Sequence, residues 1–373
     1  MDVLVGLQYG DEGKGKITDM LSKKYDIVAR YQGGNNAGHT IYYNGQKLVL
    51  HFIPSGIAQD GVLNFLGNGM VINPIALMEE IKEIEKIIPD ARERIFISEK
   101  AHIITTRHLI EDGRDEKIGT TKKGIGTCYR DKIYRRGFRI MDLYTKDINE
   151  TDEFKEAFEY LKTLNIVSSD WLRKQQDSKL ILAEGAQGTM LDIDHGSYPF
   201  VTSSTTLSSG ALTGLAMPPR SIEKVFGVFK SYLTRVGNGV MDTELFDETG
   251  KKIQDIGNEY GATTGRPRRC GWLNLDELKE SVELNGVTEL IMVKADILTG
   301  FDEIKVFVDN EYRTFKGWET TDVITEPIYG GEYKIKFIDT NLTKYIDFIE
   351  YIVGVKMYFV SISPERQGVI LMT

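Results

Sequence analysis

The chain has 373 residues, 41% hydrophobic and 27% charged, with 37 glycines and a net charge of −9. This balance fits a folded, loop-rich globular protein and excludes disordered and fibrous classes, while the acidic total argues against a nucleic-acid-binding surface, which relies on a spread positive field. No apolar run approaches the roughly 20 residues that cross a bilayer, no basic leader precedes the first strand, and Cys128 and Cys270 lack metal-type spacing, so a reducing, cytoplasmic setting without membrane attachment is expected.

In chain order, VLVGL (3–7), DIVARY (26–31), LVLHFI (48–53), LILAEG (180–185), VFGVFKSY (225–232) and LIMVKAD (290–296) predict buried strands. Between them, PIALMEEIKEIEKII (74–88) and DEFKEAFEYLKTL (152–164) carry apolar residues at helical spacing. Strands alternating with helices predict an α/β fold with a mainly parallel central sheet. Towards the carboxyl end, EIKVFVDNEYRTFK and EYKIKFI alternate as appended antiparallel strands, followed by a helical TKYIDFIEYIVGV and a last strand MYFVSIS. With no repeat, low-complexity tract or linker, one domain over 1–373 is expected.

The first strand runs into QYGDEGKGKI, whose Gly10-x-x-x-x-Gly15-Lys16 spacing is that of a phosphate-binding loop. Its glycines, Gly6, Gly10, Gly13 and Gly15, let backbone N–H groups converge on anionic oxygens, and Lys14 and Lys16 add charge. Ile17 stands where such loops place the magnesium-binding hydroxyl, and a carboxylate, Asp11, lies inside the turn. A carboxylate beside phosphates is repelled unless a divalent cation bridges them or it moves a proton, so Asp11 points to a magnesium site and a base.

The second strand leads into YQGGNNAGHTI, a Gly/Asn-rich loop ending in His39, a candidate acid or transition-state stabiliser. From Arg114 to Arg139 there are nine Lys/Arg against three Asp/Glu around IGTTKKGIG, a lining suited to anions. In GATTGRPRRCGW, Arg266, Arg268 and Arg269 follow two threonines, and their planar forks suit a dicarboxylate or phosphate. VKAD ends a strand with Lys294 and Asp296 two apart, hence on one side of a strand, where an aspartate can accept from guanine N–H groups and the lysine stem can cover the ring.

These motifs, together with EGAQGTMLDIDHGSYPFVTSS (184–204), TRVGNG (234–239) and ELFDETG (244–250), closely resemble the adenylosuccinate synthetase family, in order and over nearly the whole chain. The resemblance implies a GTP-dependent ligase joining IMP and L-aspartate through a 6-phosphoryl intermediate, with Mg²⁺ as cofactor and a homodimer as the working form. It implies Asp11 as base and, with the carbonyl of Gly38, as metal ligand; His39 as donor to the moving phosphoryl; and Gln187 at the purine oxyanion. IMP would meet Asp11, Lys14, Asn36, His39, Thr121, Gln187, Thr202 and Arg266, with Arg135 reaching its phosphate from the partner subunit and Val236 on the ribose side. GTP would meet Gly10, Glu12, Gly13, Lys14, Gly15, Lys16, Gly38, Thr40, Arg268, Lys294, Asp296 and Ser361; aspartate would meet Thr263, Thr264, Arg266 and Arg268. Departures from the family pattern are Pro267 within the arginine run, Ser361-Ile362-Ser363-Pro364 near the end, VTSSTTLSSG, and a short segment between Leu143 and Leu180.

Two alternatives accompany this reading. The viral branch of the family converts dGMP and can use ATP, but its members commonly replace the base aspartate, whereas Asp11 is retained here. A GTP-binding regulator would leave the arginine turn without a task.

Overall fold

The computed structural model describes the chain except residues 115–119, 262–264, 266, 322–323, 329–331, 338, 367 and 373, and it describes only the backbone of the strands Ile324–Ile328 and Glu332–Phe337. The chain folds into two units, Met1–Val5 with Gly13–Glu223 and Gly6–Glu12 with Lys224–Thr373.

In the first unit the predicted apolar runs become interior strands of a parallel sheet. Its order is Asn165–Val167, Ile95–Ser98, Leu63–Leu66, Ile27–Arg30, Ile181–Glu184 and Asp2–Gly6. Val3, Leu4, Val5, Ile27, Val28, Ala29, Leu182 and Ala183 are all fully buried, as strands covered on both faces require. The helix Pro74–Glu85 starts with Asn73 accepting from the Ala76 N–H at 3.2 Å and Pro74 in the first turn, and it buries Leu77, Met78, Ile81 and Ile84. It packs with the helix Asp152–Lys162 in one apolar core.

The LVLHFI expectation needs correcting. The strand is Gln46–Leu50, and it pairs antiparallel with His39–Tyr43 rather than joining the parallel sheet. The cause is the turn between them, where Asn44 (φ 48°) and Gly45 (φ 78°) take the left-handed backbone that a two-residue hairpin demands. Leu63–Leu66 and Ile95–Ser98 were not expected from the sequence, since each offers only four residues and includes a polar one.

The helix Thr106–Gly113 begins with His108 Nδ1 accepting from the Thr105 N–H at 3.0 Å, while Nε2 lies 3.2 Å from Asp131. Burial, with Arg107 and Arg130 nearby, lowers the His108 imidazole to about 4. Its folded value is thus below the unfolded one near 6.5, so stability is complete above pH 6.5 and declines as pH falls towards 4, when a proton on Nδ1 breaks the cap. Urea unfolding between pH 7 and 5 should show a loss of about 1 kcal/mol that His108→Gln, which preserves a Thr-x-x-Gln cap, largely removes. An unchanged pH slope in that variant would contradict the assignment.

In the second unit Val225–Lys230, Glu289–Val293 and Met357–Ser361 are parallel, with Val369–Leu371 antiparallel at the edge. The helix Leu275–Asn285 is capped by Asn274 and stops at Gly286 (φ 59°). The expected antiparallel pair is Glu303–Val308 with Glu311–Lys316, turning through left-handed Asp309 and Asn310. Among the described residues no helix is long and apolar enough to cross a membrane.

Candidate active site

In the first unit, loops leave the carboxyl ends of two adjacent strands, Ile27–Arg30 and Ile181–Glu184, the usual ligand-binding edge of such sheets. Gln32 clamps them together: its Nε2 donates to the Ala186 carbonyl at 3.0 Å and to Gln187 Oε1 at 3.1 Å, and its Oε1 accepts from the Ala186 N–H at 3.1 Å. Gln187 is held in left-handed backbone (φ 57°). Asn36 accepts from the Gly34 N–H and approaches Thr202 Oγ1 at 3.5 Å. A side chain at Gly33 would press within 3.3 Å of both Asn36 Oδ1 and Gln187 Oε1, so the glycine lets the two amides converge.

The helix α1 (Lys14–Leu21) begins just after left-handed Gly13. Its first turn holds Lys14 and Lys16 and no acid, so cations crowd the positive end of a helix. Such an arrangement is unfavourable by roughly 0.3–1 kcal/mol per charge and suits an anionic ligand. Lys14 is buried and donates to the Gln187 carbonyl.

His39 opens the hairpin strand, and its Nδ1 lies 2.6 Å from Glu184 Oε1. Glu184 is fully buried and also accepts from the Ser55 N–H at 2.8 Å and the Ser55 hydroxyl at 2.6 Å. Burial alone would push this carboxyl up, but His39, Arg30 and Ser55 outweigh it and hold it below the usual range. An ionised carboxylate only accepts, so Nδ1 carries the proton and Nε2 is the atom left for a ligand. A Cβ on Gly15 would come within 2.8 Å of the His39 Cβ, which explains the last loop glycine. Gly38 and Thr40 flank His39. Thr121 is exposed in a turn tied to the Asn36 loop by Lys123 Nζ donating to the Asn35 carbonyl at 2.6 Å. Arg135 is exposed past the helix Ile125–Ile133 and does not meet these groups in its own chain among the contacts described.

In the second unit Gly10 (φ 83°) and Asp11 (φ 58°) turn the chain sharply. The Glu12 side chain is fully buried and accepts from the Gln8 and Gly10 N–H groups, so its carboxylate serves the turn itself. Asp11 remains partly exposed and accepts from Arg268 Nε at 2.7 Å, while Arg268 Nη1 donates to Glu259 at 2.7 Å. Arg269, grouped by sequence with the clamp arginines, instead fills its fork with Glu244 and the Gly239 carbonyl. The strand before VKAD ends at Val293, and Lys294 is left-handed (φ 64°) ahead of a 3₁₀ turn. The strand argument for Lys294 and Asp296 therefore fails, and the turn sets their directions. Lys294 Nζ donates to the Gly257 carbonyl at 2.7 Å and lies 3.6 Å from Glu259. Val236 is exposed and Ser361 is buried at the end of its strand. Thr263, Thr264 and Arg266 lie outside the described residues.

Sequence reasoning missed Glu184, Gln32, Ser55, Lys230 and Glu259. A lysine inside the apolar run VFGVFKSY was the available signal, because a buried ammonium demands a partner.

The adenylosuccinate synthetase family model matches residues 3–156 and 146–370. The chain belongs to the adenylosuccinate synthetase family. Its members are ligases, and this chain is an enzyme of that class. The adenylosuccinate synthetase of Christiangramia forsetii is 44% identical over 425 aligned positions, covering 99% of each chain. That aligned length exceeds the 373 residues here, so the relative carries segments this chain lacks. A fully ligated adenylosuccinate synthetase from Plasmodium falciparum superposes with a TM-score of 0.89 at 35% identity, covering 100% of this chain and 99% of the other. The succinoaminodeoxyadenylate synthetase of cyanophage S-2L, solved with dGMP and dATP, shares the fold at TM-score 0.72 but only 20% identity, covering 99% and 94%. The viral alternative is therefore not favoured.

Proposed function

We propose that the chain joins IMP and L-aspartate into adenylosuccinate, driven by GTP. O6 of IMP attacks the γ-phosphorus of GTP and GDP leaves; the aspartate amine then displaces the phosphate at C6. The observation that carries the reading is the His39–Glu184 pair: burial favours the neutral ring, the carboxylate holds Nδ1–H at 2.6 Å, and the same carboxylate steadies the imidazolium whose protonated Nε2 donates to the moving phosphoryl. O6 is a poor nucleophile while N1 is protonated, and Asp11 takes that proton. The Gln187 amide and Lys14 stabilise the resulting charge, with Asn36, Thr121 and Thr202 holding the nucleotide. Gly10, Gly13, Gly15, Lys16 and Thr40 meet GTP phosphates, Lys294, Asp296 and Ser361 meet guanine, and Arg268 with Thr263, Thr264 and Arg266 receives aspartate.

The Asp11 carboxylate and the Gly38 carbonyl are hard oxygen donors of the kind Mg²⁺ takes, and Asp11 is partly exposed. Among the described residues no group of three or more His, Cys, Asp or Glu could cage a metal, which fits an ion held chiefly by phosphate oxygens and water. Bound there, Mg²⁺ would neutralise phosphate charge. A cytoplasmic homodimer in which Arg135 crosses to the partner's IMP accords with the exposed Ile133, Tyr134, Met141 and Tyr144 along the same stretch of chain.

Steady-state assays with aspartate, Mg²⁺ and either GTP or ATP should show turnover of IMP exceeding that of dGMP by at least ~100-fold, the discrimination expected when a site lacks a partner for an added polar group. Absence of turnover with IMP would defeat the proposal.

A further inference from the structure

Glu259 has no part in the chemistry above, yet it is fully buried among three cations, Lys230, Arg268 and Lys294. Lys230 Nζ donates to both its oxygens at 3.1 Å, the Tyr232 hydroxyl at 2.6 Å and Arg268 Nη1 at 2.7 Å, with Lys294 Nζ at 3.6 Å. Burial by itself would raise this carboxyl, but Lys230, Lys294 and Arg268 pull it down to about 2. The backbone repeats the link: the Arg268 N–H donates to the Glu259 carbonyl at 2.8 Å, and Gln254 Nε2 donates to the Arg268 carbonyl at 2.7 Å.

We propose that Glu259 is a positioning residue for the reaction, fixing the plane of the Arg268 guanidinium on the edge opposite Asp11 and anchoring the Lys294 ammonium. Buried ion networks are a poor means of stabilising a fold, since apolar replacements of equal volume are often neutral or better. A guanidinium gripped by carboxylates on two edges is, in contrast, oriented to within a narrow angle, as bidentate recognition requires. Here the grip runs in series. Glu259 holds Nη1, Nε holds Asp11, and the arginine that would receive aspartate stays aligned with the acid that would take the N1 proton. The tasks of Arg268, Asp11 and Lys294 rest on the function proposed above; the geometry that links them does not.

The test compares wild type with Glu259→Gln and with Lys230→Met/Glu259→Gln, which removes both members of the fully buried ion pair so that no fully buried ammonium is stranded. Both variants should raise the aspartate KM by roughly tenfold or more, the loss expected for a hydrogen bond to a charged group, while the IMP KM stays within about threefold. Calorimetry should also show GTP binding about fivefold weaker as Lys294 loses its anchor. Unchanged aspartate KM and GTP affinity in the paired variant would overturn the assignment. So would a uniform loss across all substrates, or failure of both variants to fold, since these mark a purely structural role. If wild type itself does not turn over IMP, the functional reading fails separately, and the GTP affinities still decide the role of Glu259.

Discussion

Asp11→Asn is expected to lower kcat by roughly 10²–10⁴-fold, the range for losing a general base, while IMP and GTP affinities, measured by calorimetry, stay within a few-fold. Asparagine matches aspartate in size and tolerates the left-handed backbone (φ 58°) that residue 11 adopts, so the turn is preserved. Its amide oxygen can still accept from Arg268 Nε. What disappears is the proton acceptor proposed for N1 and the negative charge that Arg268 meets and Mg²⁺ would share. A rise in the Mg²⁺ concentration needed for half-maximal rate should accompany the fall in kcat. Equal loss of binding and turnover would instead mean that Asp11 mainly shapes the loop.

His39→Ala should reduce kcat by about 10²–10³-fold, as removal of one transition-state donor does. The fold should survive, because Glu184 keeps the Ser55 N–H and hydroxyl and the Arg30 charge after the imidazole is gone. Glu184→Gln should reproduce part of the defect, since a neutral amide oxygen accepts Nδ1–H more weakly and no longer favours positive charge on the ring. Because the two residues act as a unit, the double variant should be little worse than His39→Ala alone. Multiplicative defects would show that Glu184 acts through some other route.

The parallel strands Asp2–Gly6, Ile27–Arg30, Ile181–Glu184, Val225–Lys230 and Glu289–Val293 and the Pro74–Glu85 and Asp152–Lys162 helices were legible because apolar runs and helical spacing report burial directly, whereas the four-residue strands Leu63–Leu66 and Ile95–Ser98 were too short and mixed to stand out. The Gln46–Leu50 strand was misplaced because its composition matches a buried strand, and the Asn44–Gly45 turn that decides its partner was not weighed. Asp11 and His39 stood out through their glycine-rich settings, and Gln187 only through the family resemblance. Glu184 and Glu259 did not, since a single acid near a strand end has no spacing signature, and its value arises only when residues 145 positions away (His39 with Glu184) or 29 away (Lys230 with Glu259) fold against it.

Glu184 sits on an interior strand, paired with Arg30 on one side and Leu4 on the other. Interior strands open last, with free energies near that of global unfolding, whereas loops open readily. The imidazole of His39 therefore takes its heading from the slowest-exchanging part of the chain and keeps it while the surrounding loops breathe, so little reorientation is left for the instant of phosphoryl transfer.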